Sequence, residues 1–239
     1  MIHEFSRTGM LIGEAGLSAL SASRVAVFGV GGVGSHAIEA LARSGVGSLA
    51  LVDNDTVSLT NINRQSIALH STVGRYKTQV MREKIADINP QCRVSVFETF
   101  VLPDNLEALF EKIGPVDYIL DAIDTVTAKL ALITYAQSHH IPIIASMGTG
   151  NKLHPELFQI SDIYKTSVCP LCKVMRRELK ARQVKKLTVC WSPEIPLVPG
   201  PTEEDTGARR ATPGSIAFVP PVAGLLIAGK IVRDLCGLE

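Results

Sequence analysis

Residues 27–45 read VFGVGGVGSHAIEALARSG. Gly29, Gly31 and Gly34 stand in the G-x-G-x-x-G spacing, with Gly32 between them, after a short apolar run and ahead of a helical pattern. Glycines let a backbone pass close to phosphate or ribose, and the start of the following helix offers free N–H groups. Asp53 closes the next apolar run, SLALVD, where an acidic residue can hold a ribose hydroxyl. The chain then continues DNDTVSLTNINRQ, which a dinucleotide does not require. A nucleoside triphosphate brings more charge to neutralise. Arg64 offers a planar fork for phosphate oxygens, and Lys77, in VGRYK, offers a point charge. Asn61 and Gln65 stand beside Arg64. Asp124, in LDAIDT, suits a role in holding Mg²⁺ or orienting a reacting carboxylate. Asp55 reads equally as a ligand or as a turn-forming residue.

Something must bring these residues together. Apolar runs at 24–29, 48–53, 93–98, 117–122 and 141–146 alternate with helical patterns at 33–44, 76–88, 103–112 and 126–138. Such alternation predicts an α/β fold with a doubly wound, mainly parallel Rossmann-like sheet. Ligands of such sheets lie beyond the carboxyl ends of the strands. The glycine loop, Asp53 and Asp124 all fall there. A nucleotide-binding core over 1–150 and a C-terminal part over 151–239 are expected to form one domain. In the second part, 152–161 and LTVCWS read as strands, 222–236 as a buried helix, and 193–214 as a mobile loop.

The chain has 239 residues, 46% of them hydrophobic, enough for a sizeable core in one domain. Its formal net charge of +1 points to no polyanionic partner. The five cysteines, at 92, 169, 172, 190 and 236, are odd in number and scattered. That argues against a disulfide framework and for a reducing, cytoplasmic setting. No basic segment followed by an apolar run marks a signal peptide at the N-terminus. The uncharged stretch 211–229 holds three prolines and three glycines, so a continuous spanning helix does not fit it.

The motifs GVGGVGS, LVDNDTVSLTNINRQ, VGRYKTQV, INP and LDAIDT, in that order over residues 4–160, resemble the ubiquitin-activating-enzyme-like adenylating proteins. The resemblance implies that Asp53 binds the ATP ribose, that Asn61, Arg64 and Lys77 contact phosphates, and that Asp124 is the Mg²⁺-linked carboxylate. It also implies a homodimer in which Arg7, in FSRTGMLIG, reaches the partner's ATP site. The Arg that precedes it in the family is Glu4 here.

The C-terminal third sets the branch. Members that activate sulfur carriers usually hold zinc with two C-x-x-C pairs, whereas this chain has one, Cys169 and Cys172. A zinc site would need Cys190, Cys236 or a His to join that pair; otherwise the two are small, partly buried thiols. Cys190 and Cys169 are the candidates for a transthiolating nucleophile. SDIYKTSVCPL, RELKARQ, the SPE after a strand, and the ending GSIAFVPPVAGLLIAGKIVRDL resemble the tRNA threonylcarbamoyladenosine dehydratases. That resemblance implies ATP-dependent activation of the threonyl carboxylate beside the anticodon. The modification's own carbamoyl group then closes a ring with loss of water, so no enzyme thiol is required. It further implies a monovalent cation and a cysteine-desulfurase-linked sulfur acceptor as a partner. The segment KVMRRELKARQVKK, 173–186, carries seven cations against one Glu. Lys173, Arg176, Arg177 and Lys180 are the candidate tRNA-backbone contacts, with Arg209 and Arg210 further on. Two other readings stand: an adenylyltransferase for a ubiquitin-like sulfur carrier, and a non-catalytic NAD- or nucleotide-sensing module.

Overall fold

A computed structural model describes residues 2–201 and 213–238. One seven-stranded sheet runs through it. Its strands are β1 (Arg24–Phe28), β2 (Ser48–Val52), β3 (Arg93–Phe97), β4 (Tyr118–Asp121), β5 (Ile143–Ser146), β6 (Gln159–Asp162) and β7 (Thr188–Trp191). Their order is β3-β2-β1-β4-β5-β7-β6, with β6 antiparallel to β7 and every other pair parallel. The order reverses between β1 and β4, and the cleft of such a sheet opens at that switch point.

The helices are α1 (Ser6–Ala22), α2 (Gly34–Ser44), α3 (Lys77–Ile88), α4 (Leu106–Ile113), α5 (Val126–Ser138), α6 (Pro170–Ala181) and α7 (Val219–Leu235). Strand side chains alternate between two cores, as period 2 demands. Val25, Val27, Leu49 and Leu51 pack with α2, α3 and α7. Ala26, Phe28, Ala50 and Val52 pack with α4 and α5 on the other face. α6 covers the β5–β7 end through Cys172, Met175 and Leu179.

The C-terminal part joins this framework: it adds β6 and β7 to the sheet and lays α7 on α2. A Cβ on Gly224 would lie 2.4 Å from the Val33 carbonyl oxygen, so any larger residue would push α7 off α2. α7 starts three residues before the sequence pattern suggests, because Pro220 and Pro221 sit in its first turn, where the missing N–H costs little. α1 has no counterpart in the sequence reading. Gly13, at φ 70°, kinks it. Of the expected loop, 202–212 lies outside the described residues, Arg209 and Arg210 with it. Among the described residues no helix is long and apolar enough to cross a membrane.

Candidate active site

The chain leaves β1 through Gly29, whose φ of 94° suits glycine, and whose N–H donates to the Val52 carbonyl at 2.8 Å. A Cβ on Gly34 would sit 1.8 Å from the Gly29 oxygen, so the close turn into α2 admits no side chain there. Gly31 faces open space, its nearest neighbour being Gln65 Nε2 at 3.9 Å from the Cβ position. This loop forms one wall of a cleft of about 580 Å³ over the strand ends. Asp53, Asn61, Arg64, Gln65, Lys77 and Asp124 all line it. The sequence reading and the folded chain therefore agree on one crevice.

Asp53 is held from two sides. Its Oδ2 accepts from Val30 N–H at 2.6 Å and its Oδ1 from Asp55 N–H at 2.8 Å. The carboxylate thus fixes the glycine loop as well as facing the cleft. Burial pushes its pKa up, against the pull of Lys77. The Lys77 ammonium is buried and lies 2.7 Å from Asp55 Oδ2, while Asp55 itself is exposed. Asp55 thus acts on Lys77, directing the cation at the start of α3 toward the cleft.

Asn61 Oδ1 accepts from Ser58 N–H at 3.1 Å and shapes the short helical turn Leu59–Asn61. Arg64 is anchored by Thr60 O and Asn63 Oδ1, at 2.9 and 3.0 Å. Its carbonyl meets His36 Nε2 at 3.1 Å, and Ser66 N–H donates to Ser35 Oγ at 3.1 Å, so α2 braces this loop. Gln65 is buried, and among the described residues its Oε1 has no hydrogen-bond partner. A buried acceptor of this kind, in the wall of a cleft, awaits a donor from a ligand or water.

Across the switch point, Asp124 is exposed to the cleft; its Oδ1 accepts from the Thr125 hydroxyl at 3.4 Å. The loop that carries it rests on a pair the sequence reading missed. Asp121, the last residue of β4, and Lys129 of α5 are fully buried and form an ion pair at 3.0 Å. Asp121 Oδ1 accepts from Ile123 N–H at 3.1 Å, and Lys129 Nζ donates to the Ile123 carbonyl at 3.0 Å. Burial pushes the Asp121 carboxyl up and Lys129 pulls it back. The sequence signal was a lone Asp in an apolar strand and a lone Lys in an apolar helix.

Arg7 does not line the cleft; it lies exposed near the start of α1. In the basic segment, Lys173, Arg177 and Lys180 are exposed. Arg177 pairs with Glu178 at 2.8 Å, and Glu178 also takes Arg182. Arg176 differs from the expectation. Its guanidinium donates to the Thr166 carbonyl at 2.9 Å and to the Thr166 hydroxyl, because position 176 follows Cys172 by four residues on the helix. It is engaged as a structural tie.

Cys169 and Cys172 are buried, and among the described residues no group of three or more Cys, His, Asp and Glu stands ready for a metal. Hydrogen bonds from the Cys172 thiol and from the Cys172, Gly148 and Leu171 N–H groups outweigh burial and pull the Cys169 thiol below its ordinary value. Cys190 is fully buried, which pushes its thiol up to about 12 and makes it a poor nucleophile.

The glycine loop, Asp53, the cations Arg64 and Lys77, and Asp124 across the switch point meet in one cleft on a Rossmann-like adenylating fold. The chain belongs to the ThiF family, whose profile matches residues 5–239. The tRNA threonylcarbamoyladenosine dehydratase of Bacillus subtilis is 46% identical to it over 244 residues, covering 98% of this chain and 95% of that protein. The crystal structure of the Escherichia coli tRNA N6-threonylcarbamoyladenosine dehydratase in complex with ATP superposes with a TM-score of 0.87 at 35% identity. It covers 98% of this chain and 94% of that one. The molybdopterin-synthase adenylyltransferase of Escherichia coli, 35% identical over 54% of this chain, is a more distant relative.

Proposed function

We propose that this protein dehydrates threonylcarbamoyladenosine in tRNA at the expense of ATP. Near full-length likeness to the Bacillus subtilis dehydratase carries the reading, and the lining of the cleft supports it. ATP activates the threonyl carboxylate, and the carbamoyl group of the same modification attacks it. The bond to the carboxyl oxygen breaks, a ring closes, and the oxygen leaves with the nucleotide's phosphate. The chain's task is positioning and charge neutralisation. Asp53 takes the ribose hydroxyls; the Gly29–Gly34 loop, Asn61, Arg64, Gln65 and Lys77 take the phosphates. Asp124 fits Mg²⁺, since its carboxylate is exposed to the cleft beside those cations and Mg²⁺ is held by one or two carboxylates plus substrate phosphates. Mg²⁺ would supply neutralisation of developing phosphate charge.

The tRNA reading rests on Lys173, Arg177 and Lys180, exposed on α6. A homodimer in which Arg7 completes the partner's cleft belongs to the same proposal. It is supported by the exposed Met10 and Leu11 on α1, 84% and 88% accessible. The resemblance extends it to a monovalent cation, a cysteine-desulfurase-linked sulfur acceptor and a cytoplasmic setting. The test is mass spectrometry of nucleosides from threonylcarbamoyladenosine-bearing tRNA treated with protein and ATP. A product lighter by one water supports the reading. Unchanged tRNA together with adenylation of a Gly-Gly-tailed carrier would replace it with the sulfur-carrier reading.

A further inference from the structure

Asn151 has φ 59°, a left-handed backbone that a non-glycine residue adopts at a cost, Asn most readily. It makes three hydrogen bonds there. Its N–H donates to the Gly214 carbonyl at 2.8 Å, its Oδ1 accepts from Gly214 N–H at 2.6 Å, and its carbonyl accepts from Leu197 N–H at 2.8 Å. The neighbouring residues extend the lacing. Glu194 accepts Leu153 N–H at 2.8 Å and His154 N–H at 3.2 Å, and the buried Lys152 donates to the Glu194 carbonyl at 2.6 Å. A Cβ on Gly150 would lie 2.8 Å from Pro213, so the two walls touch.

Thr149, Gly150, Pro213 and Ser215 all line the cleft, and the Ser215 carbonyl accepts from Asn63 Nδ2 at 2.9 Å, next to Arg64, so Ser215 marks the border with the phosphate loop. Thr149 and Gly150 lie at the β5 end. Neighbouring strands are about 4.8 Å apart, so three spacings put β5 roughly 14 Å from β2, whose end carries Asp53. On the functional reading above, the ribose lies at β2 and the phosphates at the β1–β4 switch point, which leaves the β5 end to the group that ATP activates.

We propose that Asn151 is a positioning residue for the acceptor: it sets the cleft wall formed by Thr149, Gly150 and Pro213 that receives the threonylcarbamoyl group. The proposal rests on the functional reading above. It deepens that reading by dividing the cleft into a nucleotide half and an acceptor half.

The test uses the full chain with Asn151→Gly, which permits the backbone angle but removes Oδ1, and Asn151→Asp, which keeps an acceptor oxygen. ATP affinity is measured without tRNA, and steady-state dehydration with tRNA varied. In Asn151→Gly, kcat/KM for tRNA is expected to fall at least about tenfold, while the ATP Kd stays within about twofold. Asn151→Asp is expected to recover most of the loss. Amide exchange at Leu197 and Gly214, which needs no activity, is expected to quicken in the Gly variant. Glu194→Gln, which weakens the same lacing, gives a smaller loss of the same kind should Asn151→Gly not fold. Equal losses of ATP affinity and tRNA turnover, an Asp variant as impaired as Gly, or unchanged exchange would overturn the assignment. An inactive wild type with quickened exchange in the Gly variant would overturn the functional reading and leave the anchor standing.

Discussion

Replacing Lys129 with Met would leave the Asp121 carboxylate buried without its cation. Unit charges 3.0 Å apart attract by roughly 5–6 kcal/mol at an effective dielectric constant of about 20. Breaking a buried pair by removing one partner costs about 3–5 kcal/mol. For a chain of this size, about 2–4 °C accompanies each kcal/mol, so the melting temperature near pH 8 should fall by about 6–20 °C. The pH dependence has a definite sign. Burial already pushes Asp121 above the ordinary carboxylate value, and without Lys129 nothing in the pair opposes it. The native state then holds a proton more readily than the unfolded chain. Its stability is greatest at low pH and is lost as pH rises through the folded pKa. The deficit of Lys129→Met relative to wild type should therefore shrink between about pH 8 and pH 5.5. Adding Asp121→Asn should recover most of it, since the double variant buries no charge. Thermal unfolding of wild type, Lys129→Met, Asp121→Asn and the double variant at both pH values measures the coupling. ATP-dependent turnover should also drop in the single variant, because Lys129 fixes the Ile123 carbonyl in the loop that presents Asp124. A Lys129→Met protein within about 1 kcal/mol of wild type, or a deficit independent of pH, would refute the reasoning.

Arg64→Ala and Lys77→Ala should each lose most ATP-dependent turnover at about 2–4 kcal/mol of transition-state stabilisation, read from kcat/KM with far-ultraviolet circular dichroism to confirm folding. Binding of tRNA should weaken steeply with salt, and replacing Lys173, Arg177 and Lys180 together with Gln should flatten the log–log slope by roughly 2–3 units. Parallel salt lines for variant and wild type would remove α6 from the tRNA surface. Cys169→Ser, Cys172→Ser and Cys190→Ser should each keep substantial dehydration activity while folded; complete loss in any one would favour a thioester route.

The difference between what the sequence disclosed and what it hid follows the range of the interactions. The five first strands and the helices between them were legible because a short continuous apolar run such as Val25–Phe28, buried on both faces of a parallel sheet, is a local signal repeated at each strand. The glycine fingerprint was legible because Gly29 and Gly34 meet each other within one turn. α1 was hidden because Gly9, Gly13 and Gly16 lower its helix propensity, and no short-range pattern announces the α7 contacts that hold it. Asp55 and Lys77, 22 residues apart, and Glu194 with Leu153 and His154, 41 and 40 apart, are partners only once the sheet exists. Asn151 gives no local sign of its backbone angle, which Gly214 and Leu197 impose from distant segments. Arg176 is the instructive case, because its orientation was available from spacing. Cys172, Met175 and Leu179 are buried at i, i+3 and i+7, so position i+4 must share their face. The same spacing leaves Lys173, Arg177 and Lys180, themselves at i, i+4 and i+7, on a common outer face, where a phosphate backbone could track them in one line.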